Sequence, residues 1–176
     1  MSQTLTPEDQ IRFLQTLFDE YQALSNGDKA TIRRCVEPDD LLITPSFLRL
    51  IRETLANFKD PELVNVRTFF SDLSRSARVV YLLPFIDHRP QGNSLGAAFS
   101  KQKISERRLF IVMRSEYPQD LIQLRRLCQQ IKDEPLDALK LSKQVFNWGK
   151  EKNHSEFSKR QLLKDFYLST PTEQME

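Results

Sequence analysis

Three times this chain sets a hydroxyl or carboxylate directly before a proline and then spaces apolar residues as a helix does: at Thr6-Pro7-Glu8-Asp9, Thr44-Pro45-Ser46 and Asp60-Pro61-Glu62. Proline at the first helical position loses nothing, because that N–H would have no partner inside the helix, and its fixed φ suits the first turn. The side-chain oxygen before it accepts one of the backbone N–H groups a helix leaves open, and acids in the first turn suit the helix dipole. Ile11, Leu14, Leu17, Phe18 and Tyr21 follow the first signal. Phe47, Leu48, Leu50, Ile51 and Leu55 follow the second, and Leu63, Val64, Val66, Phe69, Phe70 and Leu73 the third. This grammar commits the chain to helices.

The remainder reads in the same way. Asn26-Gly27-Asp28 ends one helix and caps a short one, in which Ile32, Cys35 and Val36 share a face and Arg33 and Arg34 point off it. Ser94 caps a helix over 95–102, and Ser105 with Glu106 caps one over 107–114. Pro118 starts a helix to 131, Pro135 one to about 148, and Ser155 or Ser158 one to about 168. No apolar–polar alternation persists, and the strand-like 109–113 is read as a helix buried on most sides. The run from Asp87 to Asn93, with Pro90 and Gly92, is the strongest loop signal. The expected fold is therefore all-α: a helical bundle, or two small helical halves packed together (1–88 and 89–170) followed by a polar tail at 171–176.

A length of 176 residues suits one domain or two small halves, and 39% apolar against 28% charged residues predicts a wet, charged surface. The net charge of +2 conceals a distribution. Residues 1–65 carry 7 basic and 11 acidic side chains (net −4), 66–132 carry 12 and 5 (net +7), and 133–176 carry 7 and 8 (net −1). A basic block between acidic ends points to a polyanionic partner, the alternative being a solvated face. The acidic N-terminal segment and the brevity of the longest apolar run, 79–86, predict neither secretion nor a membrane partner. Cys35 and Cys128 form no metal-binding spacing and read as reduced, buried thiols of a cytoplasmic protein.

Catalytic chemistry finds little material. His88 and His154 have no carboxylate or nucleophile at a local spacing that would make either a base and read as exposed loop residues, while Glu37, Asp39 and Asp40 read as a helix junction rather than a metal site. Gly92-Asn93-Ser94-Leu95-Gly96 has no following Lys-Ser/Thr to make a phosphate loop of it. The expectation is a protein that is not an enzyme, with no catalytic residues, no metal and no cofactor. What recurs is arginine in doublets: Arg33-Arg34, Arg107-Arg108 and Arg125-Arg126, with Arg114 two helical turns from Arg107. On a helical wheel Leu121, Leu124, Leu127, Cys128 and Ile131 form one stripe, which puts Arg125 on its border and Arg126 nearly opposite. The planar guanidinium donates two parallel hydrogen bonds to a phosphate, which an ammonium cannot. Against this stands pairing with nearby acids, Arg33 with Glu37 or Arg108 with Asp120. Trp148-Gly149-Lys150 offers either a base-stacking indole beside a cation or a core tryptophan.

The strings IRRCVEPDDL and TPSFLRLI (within 32–51), SLGAAF (94–99), SERRLFIVMRSE (105–116), DLIQLRRL (120–127), NWGK (147–150) and RQLLKDF (160–166), in this order and spacing, resemble the CasB family, the small subunit of the type I-E CRISPR surveillance complex Cascade. The resemblance covers about residues 24–168 and is weakest between 57 and 92. It implies an all-helical, non-catalytic protein that pairs with a second copy of itself beside the other Cascade subunits, supporting the guide RNA–target DNA heteroduplex and the displaced strand. Carried over by position, the nucleic-acid-binding residues it implies are Arg33, Arg34, Arg107, Arg108, Arg114, Arg125, Arg126 and Lys150. A helical protein–protein adaptor without nucleic-acid contact is the alternative. The segment 151–158 departs from the family pattern, which leaves Lys152, Lys159 and Arg160 without an expected place on the basic surface.

Overall fold

The computed structural model describes residues 6–59, 72–131 and 133–169, and these are mostly helical. The chain divides into two compact units, one ending at Pro84 and one beginning at Phe85. The helix expected after Asp60-Pro61-Glu62 and the polar tail lie outside the described residues.

In the first unit, α1 (Pro7–Gln22) opens with the expected capping box: the Thr6 hydroxyl accepts from the Asp9 N–H and the Asp9 carboxylate from the Thr6 N–H. Its buried face is Phe13, Leu14, Leu17, Phe18 and Tyr21, whereas Ile11 is 46% exposed. The stripe is rotated from the expected one because Phe13 packs near Phe58, ring centroids 6.0 Å apart, a partner too distant in sequence for periodicity to reveal. The short α2 (Asn26–Arg33) is capped by Ser25, one residue before the expected Asn-Gly-Asp signal. It ends before Cys35 and Val36, so Ile32 is its sole buried residue and Val36 is exposed.

Asp28, in the first turn of α2, ties that helix to α3 (Pro45–Ala56). Its carboxylate accepts from the Ser46 hydroxyl at 2.6 Å and from the Arg49 guanidinium at 2.6 Å. Hydrogen bonds from Ser46, Ser25 and Arg49 hold its carboxyl below the usual carboxylate range. The stabilisation this gives is present above that range and is lost as pH falls through the lowered value. The acid cluster forms a 3₁₀ helix (Pro38–Ile43), in which Asp40 accepts from the Val36 and Glu37 N–H groups, both at 2.9 Å. Against it packs α4 (Leu73–Leu82), buried from Ser76 to Leu82, whose Tyr81 hydroxyl donates to the Val36 carbonyl at 2.7 Å.

The second unit contains the one departure from an all-helical chain among the described residues. The expected loop is strand β1 (Asp87–Asn93), paired in parallel with the two-residue β2 (Pro135–Leu136). Pro135 therefore belongs to a strand pair instead of starting a helix. Alternation could not reveal β1, because a surface strand with so short a partner has no apolar face to bury, and its register breaks between His88 and Asn93, where Gln91 has φ 60°. Glu134, buried beside β2, accepts from Asn93 at 2.8 Å and from Gln102 at 2.7 Å, and pairs with Lys101 at 3.1 Å.

Five helices complete this unit: α5 (Leu95–Lys101), α6 (Glu106–Arg114), α7 (Gln119–Gln130), α8 (Ala138–Phe146) and α9 (Lys152–Leu168). Ser94 and Ser105 cap α5 and α6 as expected. The C-terminal helix begins three residues before the earlier of its two expected caps, and Ser155 and Ser158 are buried within it, the latter donating to the Gln144 carbonyl. Helices α5 and α9 meet at Gly96, where a β-carbon would strike the Leu162 carbonyl and lie 2.7 Å from the Asp165 Cβ and 2.8 Å from the Phe166 nitrogen. This glycine belongs to a helix crossing, not to a phosphate loop.

Gly96→Ala is expected to destabilise the protein by about 1–3 kcal/mol, since backbone has to give way. Gly27→Ala in α2, where a β-carbon would meet only the Ser25 hydroxyl at an ordinary 3.8 Å, should be neutral or stabilise by up to about 1 kcal/mol. Chemical denaturation of the two variants beside the parent measures both.

Candidate nucleic-acid interface

The serine cap at 105 fixes which way α6 faces. Starting the helix at Glu106 turns Leu109 and Val112 inward, and at 100° per residue Arg107, Phe110, Ile111 and Arg114 fall on the opposite side. All four are exposed, and they line an open cavity of about 650 Å³ together with Glu106 and Ser115. The expectation that 109–113 is buried on most sides is thus corrected: the segment is helical but packs on one side only, leaving two apolar residues between two arginines. Arg108, on the flank of α6, donates to the Gln130 side chain at the end of α7.

On α7 the expected stripe is buried through Leu121, Leu124, Leu127 and Cys128, with Ile131 just beyond. Arg125 sits half-buried at its border with its guanidinium 5.3 Å from the centre of the Phe85 ring, and Arg126 is exposed. Lys150 is exposed and lies 5.1 Å from the Tyr117 ring centre. The second unit therefore carries Arg107, Arg108, Arg114, Arg125, Arg126 and Lys150, the first five on the adjoining helices α6 and α7. Arg33 and Arg34 belong to the first unit, exposed at the end of α2.

The alternative pairing of Arg108 with Asp120 is not formed. Asp120 is fully buried; its Oδ2 accepts from the Trp148 indole N–H at 2.9 Å and lies 3.4 Å from the Lys159 ammonium. Lys159 also donates to the Ser115 carbonyl at 2.8 Å. Trp148 is fully buried by this arrangement and offers no face to a base. Lys159 is likewise a core residue, while Arg160 pairs with Glu156 one turn earlier at 3.1 Å. His88 is no bystander in a loop, since its Nδ1 accepts from the Ala138 N–H at 3.0 Å at the start of α8. His154 lies in α9, exposed, with its β-carbon against the site where Gly149 leaves room.

No family model matches the chain. It is 34% identical over 158 residues, 88% of its own length and 92% of the relative's, to the CRISPR system Cascade subunit CasB of Escherichia coli (strain K12). The chain belongs to the CasB family. In three dimensions it matches, with a TM-score of 0.62, a chain in the crystal structure of E. coli Cascade bound to a PAM-containing double-stranded DNA target. That match is again 34% identical and covers 89% of this chain and 95% of the other.

In this CasB-family chain, sequence reasoning missed the Asp120–Trp148–Lys159 cluster, whose members lie 28 and 11 residues apart and share no local motif. A signal did exist: Asp120, one helical turn before Leu124, falls on the apolar stripe of its helix, and an acid there must find a buried donor. Among the described residues no three His, Cys, Asp or Glu side chains converge as metal ligands, and no helix is long and apolar enough to cross a membrane. Cys128 is buried as expected, whereas Cys35 is half-buried near the Thr44 hydroxyl.

Asp120→Ala should cost about 3–5 kcal/mol, because it strands the buried Lys159 ammonium and the Trp148 N–H; thermal and denaturant melts measure it. Burial pushes the Cys128 thiol up to about 12. It therefore stays protonated across neutral and mildly alkaline pH, and native protein titrated with a thiol reagent at about pH 8 should leave Cys128 unmodified until it is unfolded.

Proposed function

We propose that this CasB-family chain is the non-catalytic small subunit of a Cascade surveillance complex in cytoplasmic antiviral defence. It pairs there with a second copy beside the other Cascade subunits and supports the guide RNA–target DNA heteroduplex and displaced strand. The likeness to E. coli CasB across nearly the full length of both chains carries this reading.

The chemistry of the surface supports it. R-loop formation exchanges one duplex for another of similar stability, so sequence-blind contacts to the backbones are enough to bias it. Guanidinium groups on one helix pair are suited to such contacts, because they reach phosphates bidentately and release condensed counterions as they bind. Arg107 and Arg114 stand two helical turns apart, about 10 Å along the axis, and can engage separate phosphates. Arg126 and Lys150 extend the basic surface in the same unit, and Arg33 and Arg34 add two cations in the first. Arg125 is partly occupied in packing over Phe85, so it serves by holding its neighbours in place as much as by contact.

Replacing Arg107, Arg114 and Arg126 together with alanine should weaken DNA binding by the purified protein uniformly across sequences. The slope of log affinity against log salt should fall by roughly 0.7–0.9 for each phosphate that is no longer neutralised. The helical circular dichroism should not change. An unaltered slope in a folded triple variant, joined with normal assembly into the complex, would turn the reading to the helical adaptor.

A further inference from the structure

Between α8 and α9 the second unit holds a groove that shares no residue with the arginine-bearing helices. It encloses about 420 Å³ and is lined by Lys140, Lys143, Gln144 and Asn147 from α8 and its end, and by Phe157 and Gln161 from α9. Phe157 is the anomaly. It is 74% exposed, on a helix whose inward face is already supplied by Ser155, Ser158, Lys159, Leu162 and Phe166. Nothing in the packing of α9 calls for an aromatic ring there.

The groove is basic, with two lysines against Asp165, and Asp165 already accepts from Gln161 at 2.9 Å. Lys140 donates to the Gly92 carbonyl at 3.0 Å and keeps two further N–H donors, while Lys143 has no acidic partner among the described residues. Gln144, Asn147 and Gln161 each give one amide N–H to a protein acceptor, and each keeps a second N–H and an amide oxygen as further hydrogen-bonding groups of the lining. A planar apolar face, hydrogen-bonding edges and a cation within one groove of this size suit an unpaired base with its phosphate. The pocket around a protein hot spot is fully desolvated, whereas this wall is built mainly of lysine, amide, serine and carboxylate side chains.

We propose that this groove is a single-stranded nucleic-acid subsite, in which an unpaired base stacks on Phe157 and Lys143, seconded by Lys140, holds the adjoining phosphate. A paired base cannot present its face, so the subsite selects single strands over duplex. The inference rests on the reading of the chain as a nucleic-acid-supporting subunit, but it involves separate residues.

The test is fluorescence anisotropy of the full-length protein at low salt, with a labelled oligothymidylate and with a duplex of the same length. Phe157→Ala should weaken single-strand binding by about 5- to 150-fold, the range that removal of one stacked base produces, and leave duplex binding within about twofold. Phe157→Tyr should retain binding, and Lys143→Ala should lower the single-strand salt slope by about 0.7. Thermal melts confirm that each exposed-site variant is folded. A wild-type protein that does not bind oligothymidylate overturns the subsite, and so does a Phe157→Ala variant that binds it normally or loses duplex equally. Normal single-strand binding joined with failed assembly onto the other subunits also overturns it, making the groove a protein contact. Arg107→Ala/Arg114→Ala in the same titrations separates the two readings: if it weakens binding while Phe157→Ala does not, the subsite alone falls.

Discussion

The carboxylate of Asp120 is the point through which the second unit is tied. It stands at the start of α7, accepts the indole N–H that follows α8, and faces the ammonium of α9, which in turn donates to the carbonyl ending α6. A charge taken out of water at such a place is costly unless each of its lone pairs is used. Here one oxygen also accepts the Leu121 N–H at 2.8 Å, so the carboxylate is satisfied on both sides. Because the partners come from four segments, moving any one of those segments strands a charge. The orientation of the arginine-bearing helices follows from that constraint together with the serine cap of α6.

How far the sequence could be read depended on whether each signal was local. Caps are local, and Thr6, Ser94 and Ser105 start helices where their side chains predicted. The α7 stripe is also local, which is why the half-buried Arg125 and exposed Arg126 were legible from a helical wheel. Long-range effects were hidden. Phe13 displaces Ile11 from the core because of Phe58, and β1 forms because a distant pair of residues is there to bond it. The Ser94 cap puts Gly96 inside a helix, but why a glycine stands there is hidden, because Leu162, which explains it, lies 66 positions further on. Ser155 and Ser158 illustrate the same limit in reverse. A serine in sequence looks like a cap, and only the neighbouring α8 explains why Ser158 is buried inside a helix instead.

Charge behaves similarly across the candidate surface. Counting it by thirds located the basic block but could not separate cations that face solvent from those spent inside. Lys159 is spent on Asp120, Arg108 touches Gln130 and Arg125 covers an aromatic ring, while Arg107, Arg114 and Arg126 are exposed. The cations that face solvent are therefore fewer than the composition implies, and Arg107, Arg114 and Arg126 among them stand on α6 and α7. A total near neutrality beside this surface accords with the proposed role, which asks for both polyanionic and protein partners.

The crossing at Gly96 has a further meaning for the order of events during synthesis. Helix α5 finds its largest partner, α9, only when residues 158–166 are available, and β1 waits similarly for β2. The first unit has its described partners within the first 84 residues. On a ribosome delivering the chain from its N-terminus, the first unit can close while the second is still a set of unsealed helices, whose core is completed only once α9 has emerged.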